Sequence, residues 1–564
     1  MTKLAATESV APEKLALQRL YRWEREAPGR VVLTQPQGGG ALRDFTWGEA
    51  TGEVRRMAAH LRSLGYPPGS RIALLSKNCA HWLLADFAIW MAGHVSVPLY
   101  PTLAATTIRH ILEHSEAKLL FVGKLDGWDA MRPGVAASLP CIGLPLAPPN
   151  DYPKWDAIVA ATPPLEGSPV RDGNELSTIM YTSGTTGVPK GVMHTFASFA
   201  WALGTGLLRV PLGSHSRMLS YLPLAHVAER ALIEHALLAT SMHVFFAESL
   251  DTFTADMQRA RPTVFFSVPR LWVKFQQAVD AKMSPAKLRR LLKIPIVRRI
   301  VSKKVLGALG LDACTYAAGG AAPMPPALLR WYERLGLPIS EVYGMTENCG
   351  VSHATLPGVS RHGTVGLAYE GVESRIDAVT GEIQMRSPGL MLGYYKEPAL
   401  TREAIGADGW LHTGDKGALD GEGNLRITGR VKDLFKTSKG KYVAPAPIED
   451  RLVMNGALEA CVVTGANLGQ PLGIVMLNAD AARRSATPEG RAALEASLAQ
   501  HLTAINGTLD PHEQLDCLVV VAEPWSVENG FITPTFKVKR NRIEEAYAAQ
   551  FERWTAARRP VVWA

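Results

Sequence analysis

At 564 residues the chain is long enough for three or four folding units of roughly 100–200 residues, each with its own core. Its composition, 47% hydrophobic and 20% charged with 50 glycines and 38 prolines, excludes a disordered chain, a collagen-like fibre and a coiled coil. Lys and Arg total 60 against 52 Asp and Glu, a formal charge of +8, too small a bias over this length to imply nucleic-acid binding. Six scattered cysteines (Cys79, Cys141, Cys314, Cys349, Cys461, Cys517) include no CxxC pair, which predicts a reducing, cytoplasmic setting with neither disulfide framework nor zinc site.

The first twenty residues contain acidic side chains and no continuous apolar core, so no signal peptide is expected. FTWGEATGEVRRMAAHLRSLGY has apolar residues at helical spacing, and RIALLS after it reads as a strand. The apolar stretch from Leu83 to Tyr100 is interrupted by Asp86, Gly93, His94 and Pro98; it predicts a buried helix running into a strand rather than a membrane span. HVSVPLY and AKLLFVG are strand-like around a helical TTIRHILEHSE, and STIMYTS, HVFFAE and PTVFFSV follow; IPIVRRIV reads as either strand or helix. This alternation predicts α/β architecture with mostly parallel, buried strands. From about residue 363 the pieces become short, Gly-rich and β-like (GTVGLAY, GEIQMRS, GNLRITG), and beyond GRVKD about 130 residues suffice for a compact α+β unit. The expected division is 1–430, including a β-rich subdomain from about 363, and a mobile 431–564.

The strongest local signal is Tyr181-Thr-Ser-Gly-Thr-Thr-Gly-Val-Pro-Lys-Gly191, directly after a strand. Glycines let successive N–H groups converge on an anion, and hydroxyls plus Lys190 add donors and charge. The order is not G-x-x-x-x-G-K-[ST], since Gly191 follows Lys190, which excludes a Walker A loop. Alone, the string also suits a flexible Ser/Thr/Gly turn.

Four further strings follow in order: Gly319-Gly-Ala-Ala-Pro323, Tyr343-Gly-Met-Thr-Glu-Asn348, Gly409-Trp-Leu-His-Thr-Gly-Asp415 and Gly429-Arg-Val-Lys-Asp433, with a late Thr533-Pro-Thr-Phe-Lys537. The ordered set resembles the adenylate-forming superfamily, which includes acyl-CoA synthetases and the adenylation domains of peptide synthetases. The resemblance implies ATP, Mg²⁺ and coenzyme A as the small molecules handled. It implies that Thr182, Ser183, Gly184, Thr185, Thr186, Gly187 and Lys190 form a phosphate loop, with Thr186 and Lys190 assisting catalysis. Gly320, Ala321 and Ala322 would line the base pocket, with Tyr343 laid against adenine and Gly344 beside it. Thr346 would meet the α-phosphate, Glu347 and Thr185 would hold Mg²⁺, and Asp415 with Arg430 would bind the ribose. Lys537 would reach the α-phosphate and substrate carboxylate; the alignment also permits Lys539, expected on the same strand face. Lys432 would be the hinge, with Lys436 and Gly440 near the acyl phosphate and coenzyme A. Taken singly, Tyr343 also suits a core aromatic, Glu347 or Lys436 a surface charge, and Asp415 a turn.

Four less universal segments, Leu222-Pro-Leu-Ala-His-Val-Ala-Glu-Arg230, Arg261-Pro-Thr-Val-Phe-Phe-Ser-Val-Pro-Arg-Leu-Trp272, Phe435-Lys-Thr-Ser-Lys-Gly-Lys-Tyr-Val-Ala-Pro445 and Thr533-Pro-Thr-Phe-Lys-Val-Lys539, resemble bacterial long-chain fatty acyl-CoA synthetases. They imply a fatty acid substrate, with adenylating ligases for medium-chain, aryl or sterol acids, or for a carrier protein, as the alternatives. His226 would stand near the acyl carboxylate or serve as a structural histidine. Residues 282–304 carry Lys282, Lys287, Arg289, Arg290, Lys293, Arg298, Arg299, Lys303 and Lys304 and no acidic residue, interleaved with apolar side chains. An amphipathic surface helix broken at Pro295 is expected there, in contact with anionic lipid on the inner membrane face or simply solvated. Oligomeric state is not legible.

Overall fold

The computed structural model describes residues 10–183, 188–359, 361–526, 529–533 and 537–564, with Ser183 described by its backbone alone. Its largest sheet has seven strands, in the order Gly393–Tyr394, Pro189–Thr195, Leu176–Ser183, Val95–Leu99, Arg71–Leu75, Leu119–Val122 and Cys141–Gly143. The strands read as apolar runs pair in parallel, as continuous hydrophobic strands covered on both faces should. Pro189–Thr195, not evident as a strand in the sequence, pairs antiparallel with Leu176–Ser183 and with Gly393–Tyr394.

A four-stranded sheet (Ala41–Thr46, Val31–Gly38, His243–Phe246, Arg217–Ser220) and a five-stranded sheet (Val264–Ser267, Tyr316–Gly320, Ile339–Tyr343, His353–Ala354, Leu367–Ala368) complete the α/β body. Helix Ala80–Ala92 has every residue buried and ends at Gly93, whose φ of 93° supplies the left-handed C-cap. Its Trp82 and Trp90 belong to one apolar cluster that includes Leu33 and Val244, Ile72 and Leu74, and Val264 and Phe266, so the helix locks three sheets together. The preceding helix, Trp47–Ser63, starts on a reciprocal Thr46–Glu49 capping box.

The Gly-rich region is indeed β-rich: Glu373–Ile376, Glu382–Arg386, Leu411–Leu419 and Leu425–Arg430 form an antiparallel sheet. The C-terminal residues build a hairpin, Phe435–Lys436 with Tyr442–Val443, and a sheet of Leu458–Thr464, Leu472–Leu477, Leu518–Val521 and Val561–Trp563 packed with helices. The ambiguous IPIVRRIV segment is helical: Pro295 occupies the first turn of helix Pro295–Ala308, after a separate short helix Pro285–Leu291. Among the described residues no helix is long and apolar enough to cross a membrane.

Candidate active site

Strands Tyr316–Gly320 and Ile339–Tyr343 run parallel, with Gly320 opposite Val342. A Cβ on Gly320 would sit 2.7 Å from the Val342 side chain and carbonyl, so glycine allows this close approach. Ala321 then takes a left-handed φ of 65°, uncommon without glycine, and turns the chain outward with Ala322 exposed. Ligands of open α/β sheets bind in the crevice at such carboxyl ends of parallel strands.

The second strand leads into the turn that begins Tyr343-Gly-Met-Thr-Glu-Asn348. A Cβ on Gly344 would lie 2.2 Å from the Gly350 carbonyl oxygen, a contact no side chain tolerates. Asn348 Oδ1 accepts from the Met345 amide at 2.9 Å, closing the short helix Thr346–Asn348. Glu347 is only 9% exposed, and its Oε1 accepts a 2.8 Å hydrogen bond from the Tyr394 hydroxyl. Lys190 Nζ stands 5.2 Å from the centre of the Tyr394 ring. Tyr394 therefore joins Lys190 to the carboxylate; burial and the Glu347 charge push its phenol well above the ordinary tyrosine range. Sequence inspection missed Tyr394 because its role depends on the Gly393–Tyr394 strand reaching across two hundred residues to pair with Met193 and Val192.

Asp415 and Arg430 face each other across the Leu411–Leu419 and Leu425–Arg430 ladder. Arg430 Nε lies 3.0 Å from Asp415 Oδ1, while the Tyr343 hydroxyl donates to Oδ2 at 2.7 Å. Each Asp415 oxygen thus has one partner inside the protein and keeps a second acceptor site, and the pairing raises the Arg430 pKa.

Lys537 enters this cluster from the C-terminal unit. Ile532 bridges Val538 antiparallel, Thr533 N donates to the Lys537 carbonyl at 2.7 Å, and the Lys537 amide donates to Thr533 Oγ1 at 3.0 Å. Lys537 keeps contact with water, yet the protein walls around it still desolvate its ammonium. That desolvation lowers its pKa, Arg430 lowers it further, and Asp415 with Glu347 oppose both. Lys537 and Lys539 flank Val538, whose bridge to Ile532 is framed by the Thr533 amide on the Lys537 carbonyl and the Lys539 amide on the Phe531 carbonyl at 2.8 Å, so the two lysines are alternate residues of one short extended piece; Lys539 is also the N-cap of helix Arg540–Tyr547. Docking of the two units is reinforced where Arg270 pairs with Glu459 and Lys274 Nζ stands 3.8 Å from the same carboxylate.

His226 caps the short helix Val227–Glu229, its Nδ1 accepting from the Ala228 amide at 3.2 Å. Burial, then the Lys537 charge, lowers its pKa to about 4, so it is neutral with its proton on Nε2. Glu229 anchors the same loop by accepting from Ser220 Oγ at 2.9 Å and the Tyr221 amide at 3.0 Å.

Of the expected phosphate loop, Thr182 is half-buried opposite Lys190 and the Ser183 backbone pairs with Pro189; Gly184, Thr185, Thr186 and Gly187 lie outside the described residues. Thr346 is 8% exposed. The residues expected to serve the second substrate do not join the Lys537 cluster. Lys432 is exposed in a turn, and Lys436 lies 5.6 Å from the Tyr442 ring within the 435–443 hairpin. Gly440 (φ 78°) forms the bend of that hairpin, because its left-handed backbone suits glycine.

Comparison with known proteins bears on the family and the fold. Residues 20–395 match the family described as "AMP-binding enzyme", and 432–558 match "AMP-binding enzyme C-terminal domain". The chain is 30% identical to the long-chain-fatty-acid–CoA ligase FadD15 of Mycobacterium bovis, covering 94% of this chain and 96% of that protein. It is 29% identical to the peroxisomal long chain acyl-CoA synthetase 6 of Arabidopsis thaliana, covering 92% and 83%. In fold it matches the adenylation domain of a carboxylate reductase from Mycobacterium chelonae (TM-score 0.81, 22% identity, 97% and 92% covered). It likewise matches the anthranilate CoA ligase AuaEII in complex with anthranoyl-AMP (TM-score 0.76, 20% identity, 95% and 98% covered). The chain belongs to the AMP-binding, adenylate-forming enzymes.

Proposed function

We propose that the protein is an AMP-forming ligase that activates a long-chain fatty acid and transfers it to coenzyme A. The observation that carries this reading is the Tyr343–Asp415–Arg430 cluster of the main body, with Lys537 of the C-terminal unit within electrostatic reach of Asp415, Arg430, Glu347 and His226. The substrate class is supported by near-full-length relatives named as long-chain acyl-CoA ligases.

In the first half-reaction a carboxylate oxygen attacks the α-phosphorus of ATP, the bond to the β-phosphate breaks, and pyrophosphate leaves an acyl-adenylate. Lys537 offsets negative charge that accumulates between carboxylate and phosphate, while Thr346, Lys190 and the 182–187 loop hold phosphate oxygens. Tyr343 and the 320–322 backbone receive the base, and Asp415 the ribose. Glu347 offers a carboxylate suited to a hard divalent cation such as Mg²⁺, whose chemistry would be charge neutralisation on the phosphates. Among the described residues no three His, Cys, Asp or Glu side chains group into a complete site, so such a cation would take its remaining ligands from substrate oxygens, water and Thr185. In the second half-reaction the 431–564 unit turns about Lys432, Lys537 withdraws, and Lys436 with Gly440 approaches coenzyme A. The thiol sulfur then attacks the acyl carbon, its proton is lost, and AMP departs.

The test is acid-dependent pyrophosphate release followed by acyl transfer to coenzyme A or to a holo-carrier protein. Transfer to the carrier protein alone would replace this reading with carrier loading. Proline at the hinge separates the steps: Lys432→Pro should leave pyrophosphate release within about threefold and slow transfer to coenzyme A at least tenfold, by stiffening a backbone that must change conformation.

The basic segment belongs to this proposal as the contact with anionic membrane. Its nine cationic side chains are all exposed on helices Pro285–Leu291 and Pro295–Ala308 or beside them, and Ile294, Ile296 and Ile300 present 53%, 76% and 64% of their surface to water. Exposed isoleucines among cations suit the headgroup boundary of a bilayer from which an insoluble substrate is drawn. Cosedimentation with phosphatidylglycerol vesicles should fall steeply between low and physiological salt, since each basic contact contributes about 1 kcal/mol. Changing Arg289, Arg290, Arg298 and Arg299 to Glu should abolish binding while activity on a soluble short-chain acid persists. Binding indifferent to both changes would refute the contact.

A further inference from the structure

Along strand Pro189–Thr195 alternate residues share a face, which groups Lys190, Val192 and His194. Each meets the Tyr343-to-Asn348 region or its support: Lys190 lies over Tyr394, Val192 packs in the cluster containing Tyr343, and His194 reaches Thr346. His194 is wholly buried, with Nε2 2.6 Å from the Thr346 carbonyl oxygen. A carbonyl only accepts, so Nε2 carries the proton and Nδ1 is an acceptor. Two groups approach Nδ1, Ser198 Oγ at 3.3 Å and Cys349 Sγ at 3.2 Å. The Ser198 hydroxyl already donates to the Thr195 carbonyl at 3.0 Å, which leaves the Cys349 thiol as the donor to Nδ1. One ring therefore grips both ends of the 346–349 turn, whose last residue holds a left-handed φ of 55° without being glycine. Burial lowers the His194 pKa to about 4, so the neutral tautomer persists at physiological pH.

We propose that His194 is a positioning residue for adenylation: by donating Nε2–H to the Thr346 carbonyl while accepting from Cys349, it fixes the 346–349 turn so that Thr346 faces the α-phosphate. The inference rests on the assignment of Thr346 made above. A misplacement of about 1 Å at such a turn costs up to roughly 100-fold in rate.

The test compares His194→Gln, whose amide nitrogen reaches the place of Nε2, with His194→Asn, which is equally polar but too short. His194→Leu completes the set, and wild-type enzyme reports separately on whether adenylation occurs at all. The readouts are kcat and KM for ATP in acid-dependent pyrophosphate release, transfer to coenzyme A from chemically prepared acyl-adenylate, and thermal midpoint. The expected result is Gln within about threefold of wild type and Asn and Leu reduced roughly 10–100-fold in kcat, with smaller changes in KM. Transfer from supplied acyl-adenylate should stay within about threefold of wild type in every folded variant. Should Leu fail to fold, the Gln/Asn pair decides alone. Equal rates for Gln and Asn would overturn the proposal, as would a loss that falls equally on both half-reactions and follows the thermal midpoint, the mark of a merely structural histidine.

Discussion

Lys537→Ala should reduce acid-dependent pyrophosphate release by roughly 10²–10³-fold, the cost of losing one preorganised charge at a developing oxyanion. The ammonium feels the charges of Arg430, Asp415 and Glu347 and itself lowers the His226 pKa, and its backbone is held at both the amide and the carbonyl by Thr533. Chemically prepared acyl-adenylate should still pass to coenzyme A, because in the proposed mechanism the lysine withdraws with the C-terminal unit before transfer. Lys539→Ala should be mild, since Lys539 stands at the N-cap of helix Arg540–Tyr547 without a side-chain cap hydrogen bond to lose. The lowered Lys537 pKa adds a pH signature. The protonated form is the active one, so adenylation should fail on the alkaline side at a pH below the ordinary lysine value of 10.5. Lys537→Arg, if active, should shift that limb upward. Equal damage to both half-reactions by Lys537→Ala, or a Lys539→Ala defect of the same size, would sink the assignment.

Glu347→Ala should be comparably severe, at least about 100-fold in pyrophosphate release, because it removes the carboxylate proposed for the cation, and among the described residues no group of three metal-ligating side chains takes its place. The side chain is 9% exposed and accepts from Tyr394, which in turn lies beneath Lys190, so its loss also slackens the lysine. Glu347→Gln keeps an acceptor for Tyr394 and separates the two effects: geometry is retained and negative charge is lost. We expect Gln to remain nearly as inactive as Ala but to melt at the wild-type temperature. Full pyrophosphate release by either variant would exclude Glu347 from the metal and phosphate chemistry.

What the chain discloses before folding follows from which interactions are local. Helix Ala80–Ala92 was legible because all but His81 and Asp86 of its positions are apolar or small and Gly93 stops it. The β-rich texture after residue 363 was legible from Gly-bounded short runs. Strand Pro189–Thr195 was not, because its alternate positions carry Lys190 and His194, polar residues that face the 343–349 turn and its partners instead of forming an apolar run. IPIVRRIV looked equally like a strand because of its β-branched residues, and only the proline at its first turn and its continuation to Ala308 decide for helix. Motif order identified Lys537, Asp415 and Glu347, yet their meeting depends on docking between units more than a hundred residues apart in sequence. For the same reason Tyr394 and His194 gave no signal of their own. Lys432, Lys436 and Gly440 were named by resemblance for a step that a docked arrangement does not display.

The central claim is that this site joins a fatty acid to AMP and then to coenzyme A, and the most direct measurement is AMP release with ATP, Mg²⁺ and coenzyme A across saturated fatty acids of increasing chain length. AMP and acyl-CoA should form in equal amounts, kcat/KM should rise from short to long chains, and pyrophosphate release should stop when the acid is omitted. AMP formation independent of added acid, or a preference for aryl or short-chain acids over every long-chain member of the series, would contradict it.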